Sequence, residues 1–193
     1  MKTVSTTEAV NTLCRGGVVL VPTETVVGLL AAERGRRRLS EIKYRDPEKP
    51  IALLCATKDD AFALASEISA LAEKLAGRYW PGPLTLVLPT TGGGTVGVRV
   101  PDHEVVTGLL AAYGAPLYAT SANLSGSPAP ADVESLDPRI ARAVDAVLEG
   151  ENGVGEASAV VDLSGDVPCL LRAGESLTED ELRRMVHEIE QRV

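Results

Sequence analysis

Aromatic, cysteine and histidine residues are scarce in this chain of 193 residues. One Phe, one Trp and four Tyr are too few for the aromatic surface on which single-strand nucleic-acid binders stack bases. The three Cys are odd in number, far apart and not in a C-x-x-C pair, so we expect neither a disulfide framework nor a zinc site. Cysteines without such a pattern suit a reducing compartment, and we expect a cytoplasmic protein.

Long apolar runs and the common nucleotide-binding loops are also missing. Every apolar run ends well before the roughly 20 residues of a membrane helix, so we expect no contact with a membrane. The sequence has no G-x-x-x-x-G-K-[ST] loop, no G-x-G-x-x-G after a strand, no H-E-x-x-H and no G-x-S-x-G. An enzyme of this kind would work by positioning and charge neutralisation, as in phosphoryl and nucleotidyl transfer, and without a protein nucleophile.

Apolar segments of strand length alternate with amphipathic segments of helical length. Strands are predicted at 18–21, 26–30, 51–55, 84–88, 96–100, 116–120, 158–162 and 168–172. Helices are predicted after the capping boxes at Ser5 and Thr178, and at 34–43, 58–79 (one or two), 104–113 and 138–148. Gly92–Gly94 is best explained as a hairpin turn. Some strands are joined by helices and others by short turns, which predicts an α/β fold: a single domain over 1–193 with a mixed sheet flanked by helices.

Basic residues are concentrated before one predicted strand. The formal net charge of −8 argues against a large nucleic-acid footprint, yet seven of the nineteen Lys and Arg residues fall between 34 and 49. Lys43, Arg45 and Lys49 directly precede the strand at 51–55, and open α/β sheets bind ligands at the mouths of such strands. Asp46 places a carboxylate beside Arg45, with which it can pair.

A hydroxyl and an amide follow a second predicted strand. Ser121 and Asn123 flank Ala122, so in extended backbone their side chains point to the same side. The long irregular stretch at 122–137 starts here, and loops of that length are usually functional or mobile. Together with the cations upstream, this pair could hold a polyphosphate and orient one of its phosphorus atoms. His103 is the one candidate for a general base.

A series of ordered motifs resembles the family of YrdC-type threonylcarbamoyl-AMP synthases, which make the activated intermediate for the N6-threonylcarbamoyl modification of tRNA adenosine. K-x-R at Lys43–Arg45 and S-x-N at Ser121–Asn123 are together the family's signature. The other matching segments are 16–19, 22–29, 80–85, 98–103, 158–162 and 171–174, with Lys49-Pro50 after the K-x-R element. The resemblance implies a YrdC-like twisted mixed parallel and antiparallel sheet with a concave ligand cleft. It is to the short, single-domain form, without the extra C-terminal domain of longer relatives.

The resemblance also implies roles for individual residues. The expected ATP contacts are Lys43, Arg45, Lys49, Thr95, Ser121, Asn123 and Arg172. Of these, Lys43, Arg45, Ser121 and Asn123 are expected to be catalytic, the last two near the reacting α-phosphate. Thr25, Arg99 and Ser158 are expected to hold L-threonine, with Arg99 paired to its carboxylate. No carboxylate cage for a metal is visible, which suits Mg²⁺ carried with ATP.

The implied reaction joins L-threonine, bicarbonate or CO2, and ATP into threonylcarbamoyl-AMP and pyrophosphate. The expected partners are the downstream proteins that transfer the threonylcarbamoyl group to tRNA, with tRNA itself at most a weak contact. Two alternatives stay open: a paralogue with a different carbamoyl or acyl substrate, and a non-catalytic RNA-binding member. Departures from the family pattern at Val27, Asp46, Leu54 and Ala129 leave the strictness for threonine open.

Overall fold

The computed structural model describes residues 1–174 and 177–191, and within them nine strands form one sheet. In chain order the strands are β1 Val18–Val21, β2 Gly28–Ala31, β3 Ala52–Leu54, β4 Leu84–Pro89, β5 Thr95–Arg99, β6 Leu117–Ser121, β7 Ala146–Val147, β8 Ala159–Asp162 and β9 Cys169–Arg172. Their order across the sheet is β7-β1-β2-β6-β3-β5-β4-β8-β9. The pairs β1–β7, β3–β5 and β4–β8 are parallel and the other pairs antiparallel, which confirms the predicted mixed sheet.

Helices flank this sheet, and most begin where the sequence predicts. In chain order they are α1 Thr6–Cys14, α2 Arg36–Lys43, α3 Lys58–Phe62, α4 Ala70–Tyr79, α5 Glu104–Tyr113, α6 Pro138–Ala143 and α7 Glu179–Glu190. The capping boxes at Ser5 and Thr178 are both confirmed, because each hydroxyl accepts from the N3 backbone N–H and the N3 glutamate accepts in return. No described helix has the length and apolar character needed to span a bilayer.

The predicted helix over 138–148 is wrong in its second half. Helix α6 ends at Ala143, and the chain enters the sheet edge as β7, parallel to β1. The backbone N–H of Asp145 donates to the carbonyl of Val18 at 3.0 Å, and that of Leu148 donates to the carbonyl of Leu20 at 2.9 Å. Pairing with a distant strand therefore overrides the local helical pattern, as it often does for short apolar runs.

The two faces of the sheet are covered unequally. On one face α2 and α6 cover β1 and β2, while α3, α4 and α7 cover β4, β5 and β8 through fully buried residues such as Leu86 and Val98. On the other face α1 and α5 pack on β1, β2, β3 and β6 through residues such as Val19 and Leu117. Along β4, β5 and β8 the residues of that second face, such as Gly97 and Val160, stay partly exposed. This uncovered part of the sheet offers a face on which a ligand could lie, and we call it the cleft floor.

Candidate active site

One edge of the cleft gathers the strand ends that carry the predicted phosphate-binding residues. Strand β6 ends at Ser121, and β3 runs antiparallel to it with Ala52 opposite Ala119. Strand β5 runs parallel to β3, so Thr95 at its start lies level with the residues just before β3. The register therefore brings Ser121, Thr95 and the Lys49-Pro50 segment to the same edge, which we call the phosphate end.

Lys43 organises the phosphate end. It is the last residue of α2, is 3% exposed, and directs its ammonium group at the S-x-N segment. The ammonium donates to the carbonyl of Ser121, to the carbonyl of Asn123 at 2.6 Å and to Asn123 Oδ1 at 3.0 Å. Burial, and then the nearby charge of Arg45, lower the pKa of Lys43 to about 8. The contact between Lys43 and the S-x-N pair is thus shown, whereas its contact with phosphate stays a prediction.

Internal hydrogen bonds also fix the S-x-N side chains. The hydroxyl of Ser121 donates to Asn123 Oδ1. The Asn123 amide Nδ2 donates to the carbonyls of Leu124 at 2.9 Å and Ser127 at 2.6 Å. These bonds anchor the first turn of the irregular 122–137 segment. A ligand at this edge would meet a preorganised surface instead of a mobile loop.

Arg45 lies beside this cluster with donor capacity left over. Tyr44 adopts the left-handed conformation at φ +50° and so ends α2 and turns the chain toward Arg45. Arg45 Nη2 donates to the carbonyl of Pro50 at 3.0 Å, while its buried Nε has no hydrogen-bond partner in the described part of the chain. Asp46 accepts instead from the backbone N–H of Glu48 at 3.0 Å, and no Arg45–Asp46 ion pair forms among the described residues. The positive charge of Arg45 is therefore not neutralised by its neighbour.

The opposite end of the cleft, which we call the amino-acid end, is built around Arg99. This last residue of β5 is 8% exposed, and its Nε donates to the carbonyl of Gly82 at 3.1 Å. Its Nη1 and Nη2 both donate to Thr25 Oγ1 at 3.2 Å, and Nη2 also donates to the carboxylate of Glu24. Two of the predicted threonine-binding residues, Thr25 and Arg99, are therefore in direct contact. Of the five guanidinium N–H groups, one on Nη1 has no partner in residues 1–174 and 177–191.

Glu24 is a component of this end that the motif analysis did not single out. Its Oε1 accepts from Arg99 and from the backbone N–H of Asp102 at 2.9 Å. Its Oε2 is buried and has no hydrogen-bond partner among the described residues. Glu24 is adjacent to Thr25 in the sequence, but nothing local indicates that it would meet Arg99, seventy-five residues away.

Ser158, predicted to hold threonine, and Arg172, predicted to contact ATP, lie together at the amino-acid end. Arg172 Nε donates to the carbonyl of Ser158 at 2.8 Å, and Nη2 donates to Ser158 Oγ at 3.2 Å. Ser158 Oγ also lies 2.9 Å from Thr85 Oγ1 on β4. Desolvation, and then the charge of Arg99, lower the pKa of Arg172. Two guanidinium groups thus act on one small region that hydroxyl groups line, and such a region favours an anionic ligand.

The two ends are joined along a floor of small residues. Gly28 pairs with Ser121 in the sheet, and a Cβ at Gly28 would lie 3.5 Å from Thr23 Cγ2. Thr23 Oγ1 is in turn 2.8 Å from Thr25 Oγ1, which accepts hydrogen bonds from Arg99. Farther along this face Ala52, Gly97 and Ala119 are partly exposed and have no large side chain of their own to fill the space above them. One extended ligand could therefore contact both ends.

A segment over residues 149–157 lies along the amino-acid end. The backbone N–H of Gly155 donates to the carbonyl of Thr25 at 2.7 Å, and that of Val154 donates to the carbonyl of Glu24 at 3.2 Å. A Cβ at Gly153 would lie 2.3 Å from the carbonyl oxygen of Thr23, so only glycine fits there. This close approach helps to fix the 23–25 turn, and sequence reasoning missed it.

His103 supports the 149–157 segment. Its Nε2 lies 2.9 Å from the carbonyl of Glu151, so Nε2 carries the proton, and its Nδ1 is buried without a hydrogen-bond partner among the described residues. With neither nitrogen available to a ligand, the geometry favours a structural role over that of a general base, for which His103 was the one candidate. Among the described residues, no group of three or more His, Cys, Asp or Glu side chains could hold a metal ion.

Comparison with known families decides the classification. A family profile named Sua5_yciO_yrdC, described as "Telomere recombination", matches residues 11–174. The chain belongs to the Sua5–YciO–YrdC family. The match covers both ends of the cleft, from the 23–25 turn to Arg172, and so confirms the family resemblance seen in the motifs.

Individual members of the Sua5–YciO–YrdC family are also similar. The chain is 38% identical over 187 residues to the threonylcarbamoyl-AMP synthase of Pyrococcus abyssi, covering 90% of this chain and 55% of that protein. The structure of P. abyssi Sua5 complexed with L-threonine matches at a TM-score of 0.83 and 34% identity, covering 95% of this chain and 57% of that one. E. coli YciO matches at a TM-score of 0.81 and 25% identity, covering 91% and 92%. The chain thus spans about half the length of the Sua5-type relatives.

Proposed function

We propose that this chain forms threonylcarbamoyl-AMP and pyrophosphate from L-threonine, bicarbonate or CO2, and ATP. The observation that carries the proposal is a single open cleft with cations and an S-x-N pair at one end and a small pocket with two guanidinium groups at the other. Relatives 35–38% identical to this chain are threonylcarbamoyl-AMP synthases, and one similar structure contains L-threonine. We extend these properties to this chain.

At the phosphate end the residues would bind the triphosphate and orient its α-phosphorus. The Arg45 side chain makes one hydrogen bond among the described residues, from Nη2 to the carbonyl of Pro50, so its other Nη N–H groups suit a β- or γ-phosphate. Lys49 and Thr95 are exposed at the same edge, within reach of a ligand there. Lys43 acts by holding Ser121 and Asn123 in place. Mg²⁺ would arrive with ATP and offset the charge of the departing pyrophosphate.

At the amino-acid end the residues would hold threonine by its carboxylate. The remaining N–H of Arg99 and the hydroxyl of Ser158 are donors that suit a carboxylate, and Thr25 is fixed beside them. Leu54, which pairs with Arg99 in the sheet, contributes an apolar wall. The pocket therefore combines anion recognition with room for a small side chain.

The chemistry follows from bringing these ends together. The threonine nitrogen bonds to the carbon of CO2 and loses a proton, which gives a carbamate. One carbamate oxygen then bonds to the α-phosphorus as the bond to the bridging β-phosphate oxygen breaks, so that pyrophosphate leaves. The chain supplies orientation and positive charge for this displacement, with no covalent intermediate on the protein.

Pyrophosphate release with each substrate omitted in turn tests the proposal. We expect release only when L-threonine, bicarbonate and ATP are all present, with an adenylate of threonylcarbamate identified by mass spectrometry. Release that does not depend on threonine would favour a paralogue with a different carbamoyl or acyl substrate. Salt-sensitive RNA binding without any nucleotide turnover would favour the RNA-binding alternative. Delivery of the product to tRNA-modifying proteins is part of the same proposal.

A further inference from the structure

The protein residue Thr85 lies buried in the sheet beneath the amino-acid end. Thr85 is on β4, is 6% exposed, and projects from the face of the sheet that forms the cleft floor. Its neighbours Leu84 and Leu86, which point to the opposite face, are fully buried in the core. Its Oγ1 lies 2.9 Å from Ser158 Oγ. A buried hydroxyl needs a hydrogen-bond partner, and here that partner is Ser158, a residue proposed to bind the substrate.

The hydrogen-bonding capacity of Ser158 restricts what its hydroxyl can do. A serine oxygen has two acceptor sites and one proton, whereas a guanidinium group can only donate. Arg172 Nη2 donates to Ser158 Oγ at 3.2 Å and fills one acceptor site. If Thr85 also donates to Ser158, both acceptor sites are filled and the Ser158 proton is left for a ligand. If the Thr85 bond runs in the opposite direction, Ser158 has no proton to offer.

The surrounding charge selects between these two directions. Arg99 and Arg172 both donate to hydroxyl groups of this region and Glu24 neutralises one of the two charges, so the region keeps a net positive charge and a ligand oxygen there is expected to be anionic. An anionic oxygen accepts and cannot donate, which requires Ser158 to be the donor. We propose that Thr85 is a positioning residue that makes Ser158 a hydrogen-bond donor to the carboxylate of the amino-acid substrate. This inference rests on the proposed function, because it assumes that threonine binds at this end.

Thr85→Val tests the inference, because it removes the hydroxyl and keeps the branched shape. We expect the KM and Kd for L-threonine to rise about 5- to 10-fold, with the KM for ATP changed less than about twofold. Thr85→Ser keeps the hydroxyl and should restore the affinity for threonine. 1-Amino-2-propanol, which lacks the whole carboxyl group of threonine, should bind Thr85→Val and wild type equally. A general loss of structure would weaken threonine and 1-amino-2-propanol together, and that result would overturn the proposal.

A double-mutant cycle with Ser158→Ala makes the test independent of the size of the single effect. Once Ser158 is alanine, Thr85→Val should cause no further loss of threonine affinity, because its effect acts through Ser158. Additive losses would overturn the proposal. If Thr85→Val does not fold, the same double-mutant cycle is measured with Thr85→Ala. A wild-type protein that fails to bind L-threonine would overturn the proposed function as well, whereas threonine binding that Thr85→Val leaves unchanged would overturn only the role of Thr85.

Discussion

The two ends of the cleft differ in how far the fold buries them. At the amino-acid end Thr25 is 2% exposed, Ser158 4% and Arg99 8%, and each is fixed by side chains from other strands and turns. At the phosphate end Lys43 and the S-x-N pair are fixed, but Lys49, Thr95 and Tyr44 lie open to solvent. Among the predicted site residues at the amino-acid end, only Arg172 is exposed. Buried and fixed side chains suit a small ligand that must be chosen among similar ones, and an open edge suits a larger and more uniform group such as a triphosphate.

Removal of Arg99 should have the largest effect, because it strips charge from the buried end. Arg99→Ala removes the expected carboxylate partner of threonine and leaves Glu24, which is 17% exposed, without its ion pair. We expect a loss of threonine affinity of at least about 2 kcal/mol and a destabilisation of about 3 kcal/mol. Calorimetric titration of threonine and ATP, with thermal unfolding, measures both.

Arg99→Lys is the matched control, because it keeps the charge and removes the planar fork. It should be more stable than Arg99→Ala and still bind threonine weakly. Equal losses of threonine and ATP in Arg99→Ala would show that the two ends are not separate sites.

Asn123→Ala should mainly reduce turnover. Asn123 Oδ1 accepts from both Lys43 and Ser121, so its removal frees the groups that are proposed to orient the α-phosphate. We expect kcat at saturating ATP to fall on the order of 100-fold, as for the loss of one preorganised donor. Asn123→Asp keeps the size and the Oδ1 acceptor and serves as the control. Full activity of a folded Asn123→Ala variant would contradict the role of the S-x-N pair.

Arg45→Ala should raise the KM for ATP with little change in the affinity for threonine. Its Nε has no partner in the described chain, so truncation leaves few protein contacts broken and the fold intact. Loss of one charge-assisted contact is worth about 1.5–3 kcal/mol. Steady-state kinetics against ATP, with Lys49→Ala as an exposed comparison from the same edge, measures the effect. An unchanged ATP dependence would remove Arg45 from the site.

The smallest expected effect is a pH dependence at the phosphate end. The pKa of Lys43 is about 8 in the folded protein against an ordinary 10.5, so its ammonium charge is lost as the pH rises through about 8. ATP affinity should therefore fall a few-fold above that pH. Lys43→Arg stays protonated, so in this variant the fall in ATP affinity above pH 8 should be much smaller.

The contribution of Lys43 to the free energy of unfolding should change with pH in the direction opposite to ATP affinity. Between pH 8 and 10.5 the unfolded chain binds more protons at this lysine, so its contribution to stability rises with pH and is lost as pH falls through about 8. Chemical denaturation at pH 7 and pH 10, compared with ATP titrations at the same values, separates the two effects. A parallel fall in both would assign the loss of affinity to unfolding.

Local patterns were sufficient for much of the fold. The apolar runs, the capping boxes and the glycine turn at 92–94 each depend on residues close in sequence, and all are present in the structure. The strand at 146–147 was missed because its partner, β1, lies more than a hundred residues away. The family's paired motifs also predicted which residues contact ATP and threonine, and these contacts stay predictions.

The sequence by itself determined the mixed α/β character, the cation-rich approach to β3, and the alternation that places Ser121 and Asn123 on one side. The tertiary structure alone decided the pairings that give those residues chemical meaning: Lys43 with the S-x-N segment, Arg99 with Glu24 and Thr25, and Ser158 between Thr85 and Arg172. Each joins positions between 14 and 80 residues apart. Hydrogen-bond direction and burial depend on which strands are neighbours, and strand order is set by packing of the whole sheet, which no local pattern encodes.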